Sequence, residues 1–146
     1  MGTVPDYSSA DAARETIARQ TQEAIEKARR ATAWRQEIDA LRGHGTADRG
    51  AVSATVEVSG MLVDLEVSDQ AAQRGGREVA SLVVEAVKAA QRDVGRKVME
   101  ASEQEWGAES STTDRMRAEV TGRFGSLEDP EAPSRGLPGA DINWGR

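Results

Sequence analysis

Apolar residues recur along the first part of the chain at the spacing of an amphipathic helix. Five of them are seven residues apart: Ala10, Ile17, Ala24, Ala31 and Ile38. Ser8 and Ser9 are favoured N-caps, and the glycines at 43 and 45 are typical of a helix end. The pattern therefore predicts a long helix from about residue 8 to residue 42, with a narrow, alanine-rich stripe of the coiled-coil kind.

The next segment alternates between apolar and polar residues, which is the pattern of β-strands. A two-residue turn at Ser59 and Gly60 predicts a hairpin over 52–67 with four apolar pairs: Val58 with Met61, Val56 with Val63, Ala54 with Leu65 and Val52 with Val67. The opposite face carries Thr55, Asp64 and Glu66 and is expected to face water. A short edge strand over 45–47, before a turn at 48–50, is a further prediction.

A second helix is predicted after the glycines at 75 and 76. Its apolar residues fall at spacings of three and four: Val79, Leu82, Val83, Ala86, Val87, Ala90, Val94, Val98 and Ala101. We expect this face to cover the valine face of the hairpin. Beyond Trp106 the composition shifts to Gly, Ser, Thr and Pro, which predicts a flexible, disordered tail over 106–146 with a transient helix at 113–124.

These elements predict an α+β domain over residues 8–105, with a long helix, a small antiparallel sheet of two to three strands and a second helix. The first helix would be roughly 50 Å long and the strands only about 23 Å, so half of the helix lacks a sheet beneath it. A small sheet also leaves unpaired edges. Both features predict a symmetric homodimer. The residues expected in its core or dimer interface are Ile17, Trp34, Ile38, Val56, Val58, Val63, Leu65, Val83 and Val87.

Enzymatic and metal-binding constellations are missing from the 146 residues. The chain has no cysteine and a single histidine, His44, which the pattern places in an exposed loop between two glycines. Asp64 and Glu66 lie on the face that is expected to be solvated. We therefore expect no catalysis, no metal and no cofactor. The N-terminus lacks a signal-peptide pattern, and no apolar run is long enough to cross a membrane, so a cytoplasmic protein is expected.

The net charge of −6 is unevenly distributed. Residues 8–42 hold seven Arg and Lys against six Asp and Glu, whereas residues 43–73 hold one cation against five carboxylates. The cations that are candidates for phosphate contact are Arg19, Lys27, Arg29, Arg30 and Arg35 on the first helix, with Arg96 and Lys97 on the second. The alternative is a solvated helix face, balanced by pairs such as Glu23 with Lys27 and Glu26 with Arg30.

Two strings in the chain carry a family resemblance. GAVSATVEVSGMLVDLEVS has a glycine-punctuated pattern of alternating valines, and REVASLVVEAVKAAQRDVGRKV has an A-V-x-x-A step at Ala86 to Ala90. With the order of elements, they resemble the YbaB/EbfC family of nucleoid-associated proteins over residues 10–104. The resemblance implies a small bacterial homodimer with protruding helices that binds double-stranded DNA with little sequence preference and has no enzymatic activity.

The chain differs from many relatives in its alanine-rich first helix and in the forty residues after the second helix. A composition rich in Ala, Arg, Gly and Val suggests an actinobacterium. In such bacteria, family members also resemble accessory proteins of type VII secretion systems. A protein-interaction or chaperone-like module that holds a protein partner, and not DNA, is therefore the alternative function.

Overall fold

The computed structural model describes residues 7–127 and has the predicted α+β architecture. Its elements are α1 (Tyr7–Asp39), β1 (Arg42–Ala47), β2 (Val52–Glu57), β3 (Leu62–Val67), α2 (Asp69–Ala72), α3 (Gly76–Trp106) and α4 (Ser111–Phe124). The strands form one antiparallel sheet in the order β1-β2-β3. The chain divides into two compact units between residues 40 and 41. The part of the predicted tail from 128 to 146 lies outside the described residues.

Helix α1 is exposed along most of its length. It begins at Tyr7 and ends at Asp39, three residues before the predicted end. All residues from 9 to 30 are exposed, including Ile17 at 61%. Burial begins only at Trp34, which is 8% exposed, and Ile38, which is fully buried. The expected core role of Ile17 is therefore not seen within the protomer, and the heptad stripe stays open to solvent over these residues.

The glycines that were expected to end the first helix belong instead to strand β1. A Cβ atom added to Gly43 would lie under 3.0 Å from the Ala90 carbonyl and from Val94, and one added to Gly45 would meet the backbone of 86–90 equally closely. Real Cβ atoms essentially never approach other atoms so closely. The G-x-G spacing therefore allows β1 to lie directly on the small residues Ala86 and Ala90 of α3, both fully buried.

Two side chains of α3 hold the backbone of β1. The Asp93 carboxylate accepts a hydrogen bond from the His44 amide at 2.8 Å, and the Lys97 ammonium donates to the Arg42 carbonyl at 2.9 Å. Lys97 also pairs with Asp93 at 2.9 Å. Burial by itself would raise the pKa of Asp93, but the His44 and Lys97 hydrogen bonds and the charges of Lys97 and Arg96 lower it below its usual range.

The hairpin register agrees with the prediction at its open end and differs at its tip. Two of the four predicted pairs form: Val52 with Val67 and Ala54 with Leu65. Val56 pairs with Leu62 and not with Val63, because the register shifts between Thr55 and Val56. A β-bulge of this kind adds one residue to one strand, which the period-2 pattern of the sequence does not reveal.

The hairpin loop has three residues, 58–60, and not the predicted two. The Glu57 amide donates to the Met61 carbonyl at 3.0 Å, and the Gly60 amide donates to the Glu57 carbonyl at 2.8 Å. Val58 therefore lies in the loop and does not pair with Met61. Gly60 has φ +90°, a backbone conformation that favours glycine and suits the last position of a three-residue loop.

Helix α3 covers β1 and β2 but leaves β3 uncovered. Its main contacts with the sheet are to these two strands, and the buried side chains of β2 are Val52, Ala54 and Val56. Their partners on β3 are not buried: Leu62 is 41% exposed and Leu65 is 38% exposed, and Val63 between them is 47% exposed. The prediction that the second helix covers the valine face of the hairpin therefore holds for β2 and not for β3, because the close approach permitted by the β1 glycines draws α3 toward β1.

The segment after Trp106 forms a packed helix where a flexible tail was expected. Gly107 ends α3, and the Ser110 hydroxyl caps α4 by accepting from the Thr113 amide at 3.0 Å. Met116 and Val120 of α4 are buried, and α4 packs along α3. The Arg123 guanidinium donates to the Val58 carbonyl at 2.8 Å, which connects α4 to the hairpin loop. The tail predicted from residue 106 is thus structured at least through α4.

Candidate nucleic-acid interface

The five predicted phosphate contacts of α1 are all exposed and lie on more than one side of the helix. At about 100° per residue, Arg19 and Arg30 point within roughly 20° of each other, about 16 Å apart along the axis. Lys27 is turned from these two by about 60 to 80°, Arg29 by about 80 to 100° in the opposite direction, and Arg35 points to nearly the opposite side of the helix. Because the cations encircle α1, the helix presents positive charge in several directions.

The cations of α1 differ in how far neighbouring carboxylates neutralise them. Arg35 pairs with Asp39 at 3.5 Å. Within residues 7–127, no salt bridge is formed by Arg19, Lys27 or Arg29, and the expected Glu23 to Lys27 pair is not seen. α1 carries six cations and six carboxylates, so its net charge is zero. Any attraction to phosphate therefore depends on local placement and not on the charge of the whole helix.

The two predicted cations of α3 have different roles. Lys97 donates to the Arg42 carbonyl of β1 and pairs with Asp93, so its ammonium group has a structural role. The Arg96 side chain is 54% exposed, lies 4.0 Å from Asp93 and donates to the Leu127 carbonyl at 3.3 Å. Lys88 and Arg92 precede Arg96 at intervals of four residues, so these three cations follow one side of α3.

Helix α4 adds arginines that the sequence pattern had assigned to a tail. Arg117 is occupied by Asp114 at 2.9 Å and Glu103 at 3.8 Å. Arg123 is held by the hairpin loop and lies 5.8 Å from the centroid of the Phe124 ring. Arg115 is exposed. The sequence placed Arg115 in a helix only through the transient helix predicted at 113–124.

The face of the sheet that points away from α3 is acidic on strand β3, where it is most exposed. Asp64 and Glu66 on β3 are exposed, and Glu57 on β2 lies 4.0 Å from Arg42. His44 lies on strand β1 and not in a loop, with its Nδ1 atom 3.1 Å from the Thr55 hydroxyl. Carboxylates repel phosphate, so the β3 side of this face is unsuited to a nucleic-acid backbone.

Metal-binding clusters and membrane-spanning helices are both absent from residues 7–127. Nowhere in this range do three His, Cys, Asp or Glu side chains converge in a way that could hold a metal ion. None of the helices in the same range combines the length and apolar character needed to span a bilayer.

Comparison with known proteins identifies the family of the chain. None of the curated proteins compared with it matches. The model of the YbaB/EbfC DNA-binding family matches residues 12–107, which include most of α1, the whole sheet and α3. Helix α4 lies beyond the matched region. Because the match covers well over half of the sequence, the chain belongs to the YbaB/EbfC DNA-binding family.

Proposed function

We propose that the protein is a non-enzymatic, nucleoid-associated protein of the bacterial cytoplasm that binds duplex DNA as a homodimer with little sequence preference. Membership of a DNA-binding family supports the DNA partner. The observation that carries the proposal is the exposure of α1, where no residue from 9 to 33 is buried. A long exposed helix with several cations gives guanidinium and ammonium groups direct access to a phosphate backbone.

The chemistry of these cations explains the low sequence preference. Arg29 and Arg30 can donate paired N–H groups to phosphate oxygens, and Lys27 supplies a point charge beside them. Phosphate contacts carry no sequence information. Asn and Gln, which read adenine edges in the major groove, occur on α1 only at residues 20, 22 and 36. Binding through α1 would therefore be governed by charge and be sensitive to salt.

A fluorescence anisotropy titration tests the proposal. Full-length protein is titrated against two labelled duplexes of equal length and unrelated sequence, from about 50 to 200 mM salt. We expect similar affinities for the two duplexes and a linear fall of log K with log salt, with a slope of about −0.9 per phosphate neutralised. The double variant Arg29→Gln/Arg30→Gln should reduce the magnitude of that slope by about 1 to 2.

A matched control separates local contact from overall charge. The double variant Arg77→Gln/Arg115→Gln also removes two positive charges, but from exposed positions outside α1. It should leave the salt slope within about 0.5 of the wild-type value. Equal effects of the two double variants would contradict a contact through α1. If no duplex is bound even at low salt, the DNA-binding proposal fails. The net charge of −6 would then favour the protein-interaction module, with a basic protein as its partner.

A further inference from the structure

Three cations on one side of α3 are only weakly neutralised by carboxylates. We call Lys88, Arg92 and Arg96 the α3 cation row. Lys88 is exposed, Arg92 is half-buried, and the Arg96 side chain is 54% exposed. Within residues 7–127, neither Lys88 nor Arg92 forms a salt bridge, and Arg96 reaches the Asp93 carboxylate only at 4.0 Å. The row therefore presents positive charge that the described residues do not offset.

Helix α4 leads the chain toward this row. It runs antiparallel to α3: the Thr113 hydroxyl donates to the Ser102 carbonyl at 3.3 Å, and Val120 lies beside Gly95, where it would meet an added Cβ atom at 3.0 Å. Each turn of α4 thus passes residues of α3 with lower numbers. The members of the α3 cation row lie in that same direction along the helix.

Leu127 fastens the chain at one end of the row. A Cβ atom added to Gly95 would lie 2.6 Å from the Leu127 side chain, so the glycine lets this leucine sit directly against α3. The Arg96 guanidinium donates to the Leu127 carbonyl at 3.3 Å. The chain is therefore anchored at residue 127, immediately beside the last member of the α3 cation row.

The sequence that follows Leu127 is strongly acidic. Residues 128–131 read Glu-Asp-Pro-Glu, with three carboxylates and no cation, and we call them the acidic segment. Four residues span up to about 13 Å when extended. Successive members of the row are about 6 Å apart along the helix, so Lys88 lies about 12 Å from Arg96. The acidic segment is therefore long enough to reach every cation of the row from its anchor.

We propose that the carboxylates of the acidic segment pair with the α3 cation row and compete there with the phosphates of DNA, so that the C-terminal part of the chain restrains DNA binding. The proposal rests on the DNA binding of the proposed function and adds a means of regulating it. Carboxylate and phosphate oxygens accept from the same guanidinium and ammonium groups. A tether of a few residues also gives the segment an effective concentration on the order of millimolar.

This competition is a property of the chain's C-terminal addition. Both α4 and the acidic segment lie beyond residues 12–107, the part that the family model matches. Its signature is the salt dependence of binding. While carboxylates neutralise the row, a duplex releases no counterions by contacting it. Removal of the carboxylates should therefore both strengthen binding at low salt and steepen its dependence on salt.

Anisotropy titration of the full-length double variant Glu128→Gln/Asp129→Asn tests the competition. We expect the affinity for a duplex to rise by about fivefold at low salt, as for the loss of two exposed ion pairs. The slope of log K against log salt should grow in magnitude by about 1 to 2. The control Glu109→Gln/Glu119→Gln makes the same change of net charge at exposed positions before and within α4. It should raise the affinity by less than about twofold and leave the slope unchanged.

A double-mutant cycle locates the site of competition. The acidic-segment substitutions are introduced again into Lys88→Gln/Arg92→Gln, which removes two cations of the row. In that background they should raise the affinity by less than about twofold, because residues that act through one contact are not additive. Circular dichroism checks that each variant is folded.

Zero-length cross-linking tests the contact in the absence of DNA. A water-soluble carbodiimide joins a lysine amine to a carboxylate in contact with it, forming an amide with loss of water. The lysines of the chain are Lys27, Lys88 and Lys97, and Lys97 already contacts Asp93. Mass spectrometry of the band of protomer mass should find Lys88 joined to the acidic segment. Lys27 on α1 is the control and should not be joined to it.

Three outcomes would overturn the proposal: no cross-link from Lys88 to the acidic segment, equal gains in affinity for the acidic-segment variant and its control, or a full gain in the Lys88→Gln/Arg92→Gln background. If the cross-link forms but no duplex is bound at low salt, the DNA binding of the proposed function fails and the contact itself stands. The two failures are therefore distinguishable.

Discussion

Replacing Gly45 by alanine tests whether the close contact between β1 and α3 organises the fold. A Cβ atom at this position would lie 2.7 Å from the carbonyl carbon of Ala89 and closer still to the Ala90 nitrogen and the Ala86 oxygen. Ordinary contacts of a Cβ atom begin at about 3.4 Å, so strand and helix would have to separate by at least about 0.7 Å. All three obstructing atoms are backbone, and no side-chain rotation relieves the overlap.

The expected loss of unfolding free energy in Gly45→Ala follows from the cost of overpacking an interior. Adding volume to a packed interior typically costs about 1 to 3 kcal/mol, and a backbone obstruction places Gly45→Ala at about 3 kcal/mol. Separation would also stretch the bond from the His44 amide to Asp93. Domains are stable by only about 5 to 15 kcal/mol, so the loss is large. With a urea m-value of about 2 kcal/mol/M, the unfolding midpoint should fall by about 1.5 M.

Urea unfolding followed by circular dichroism measures this effect at one protein concentration. Gly122→Ala is the matched control, because Gly122 lies inside α4 with no atom within 4 Å of an added Cβ. That substitution should stabilise the protein by about 0.5 to 1 kcal/mol. A Gly45→Ala variant within about 0.5 kcal/mol of the wild type would refute the argument, since it would mean that α3 moves away from β1 at little cost.

Two further predictions concern the residues that hold the elements together. Asp93→Asn should lower the free energy of unfolding at neutral pH by about 1 to 2 kcal/mol, because hydrogen bonds to a charged group are lost, and the exposed Glu100→Gln serves as control. The pKa of Asp93 is lower in the folded protein than its unfolded value of about 3.9, so its contribution is complete above that pH and is lost as the pH falls through the folded value. Wild-type stability should therefore fall more steeply than that of Asp93→Asn below about pH 4, and equal slopes in urea unfolding would contradict the role of the carboxylate. Phe124→Ala should destabilise the docking of α4 by about 1 to 2 kcal/mol, because the ring packs partly buried against the core beside Gly60. Limited proteolysis should then cleave within 108–127 faster than in the exposed control Glu119→Ala, and unchanged cleavage would mean that the ring does not anchor the helix.

Local pattern was sufficient for the elements that depend on local interactions. The period of the apolar residues placed α1 and α3, and alternation placed β2 and β3, because helices and strands impose these periods on their own residues. The far end of the hairpin, Val52 with Val67, was also predictable, since a one-residue slip there would turn every valine to the wrong face. The sequence motifs of the hairpin and of α3 also indicated the family, which the match over residues 12–107 confirms.

The errors arose where a residue's role depends on a distant segment. Gly43 and Gly45 look like a helix end, and only the position of Ala86 and Ala90 across the fold reveals that they permit close packing. Lys97 looks like a candidate for phosphate contact, and only Asp93 with the β1 backbone makes it structural. The β-bulge beside Val63 likewise cannot be recognised from the alternation of apolar and polar residues.

The sequence by itself determined the family, the element types and the exposed cations of α1, because these are encoded in periodicity and charge along the chain. The tertiary structure alone decided which strand α3 covers, which cations are committed to carboxylates or carbonyls, and that a fourth helix packs on α3. The reason is geometric: a sheet of three strands is wider than the helix lying on it. A close approach at β1 therefore leaves β3 open, with its apolar face and free edge exposed together.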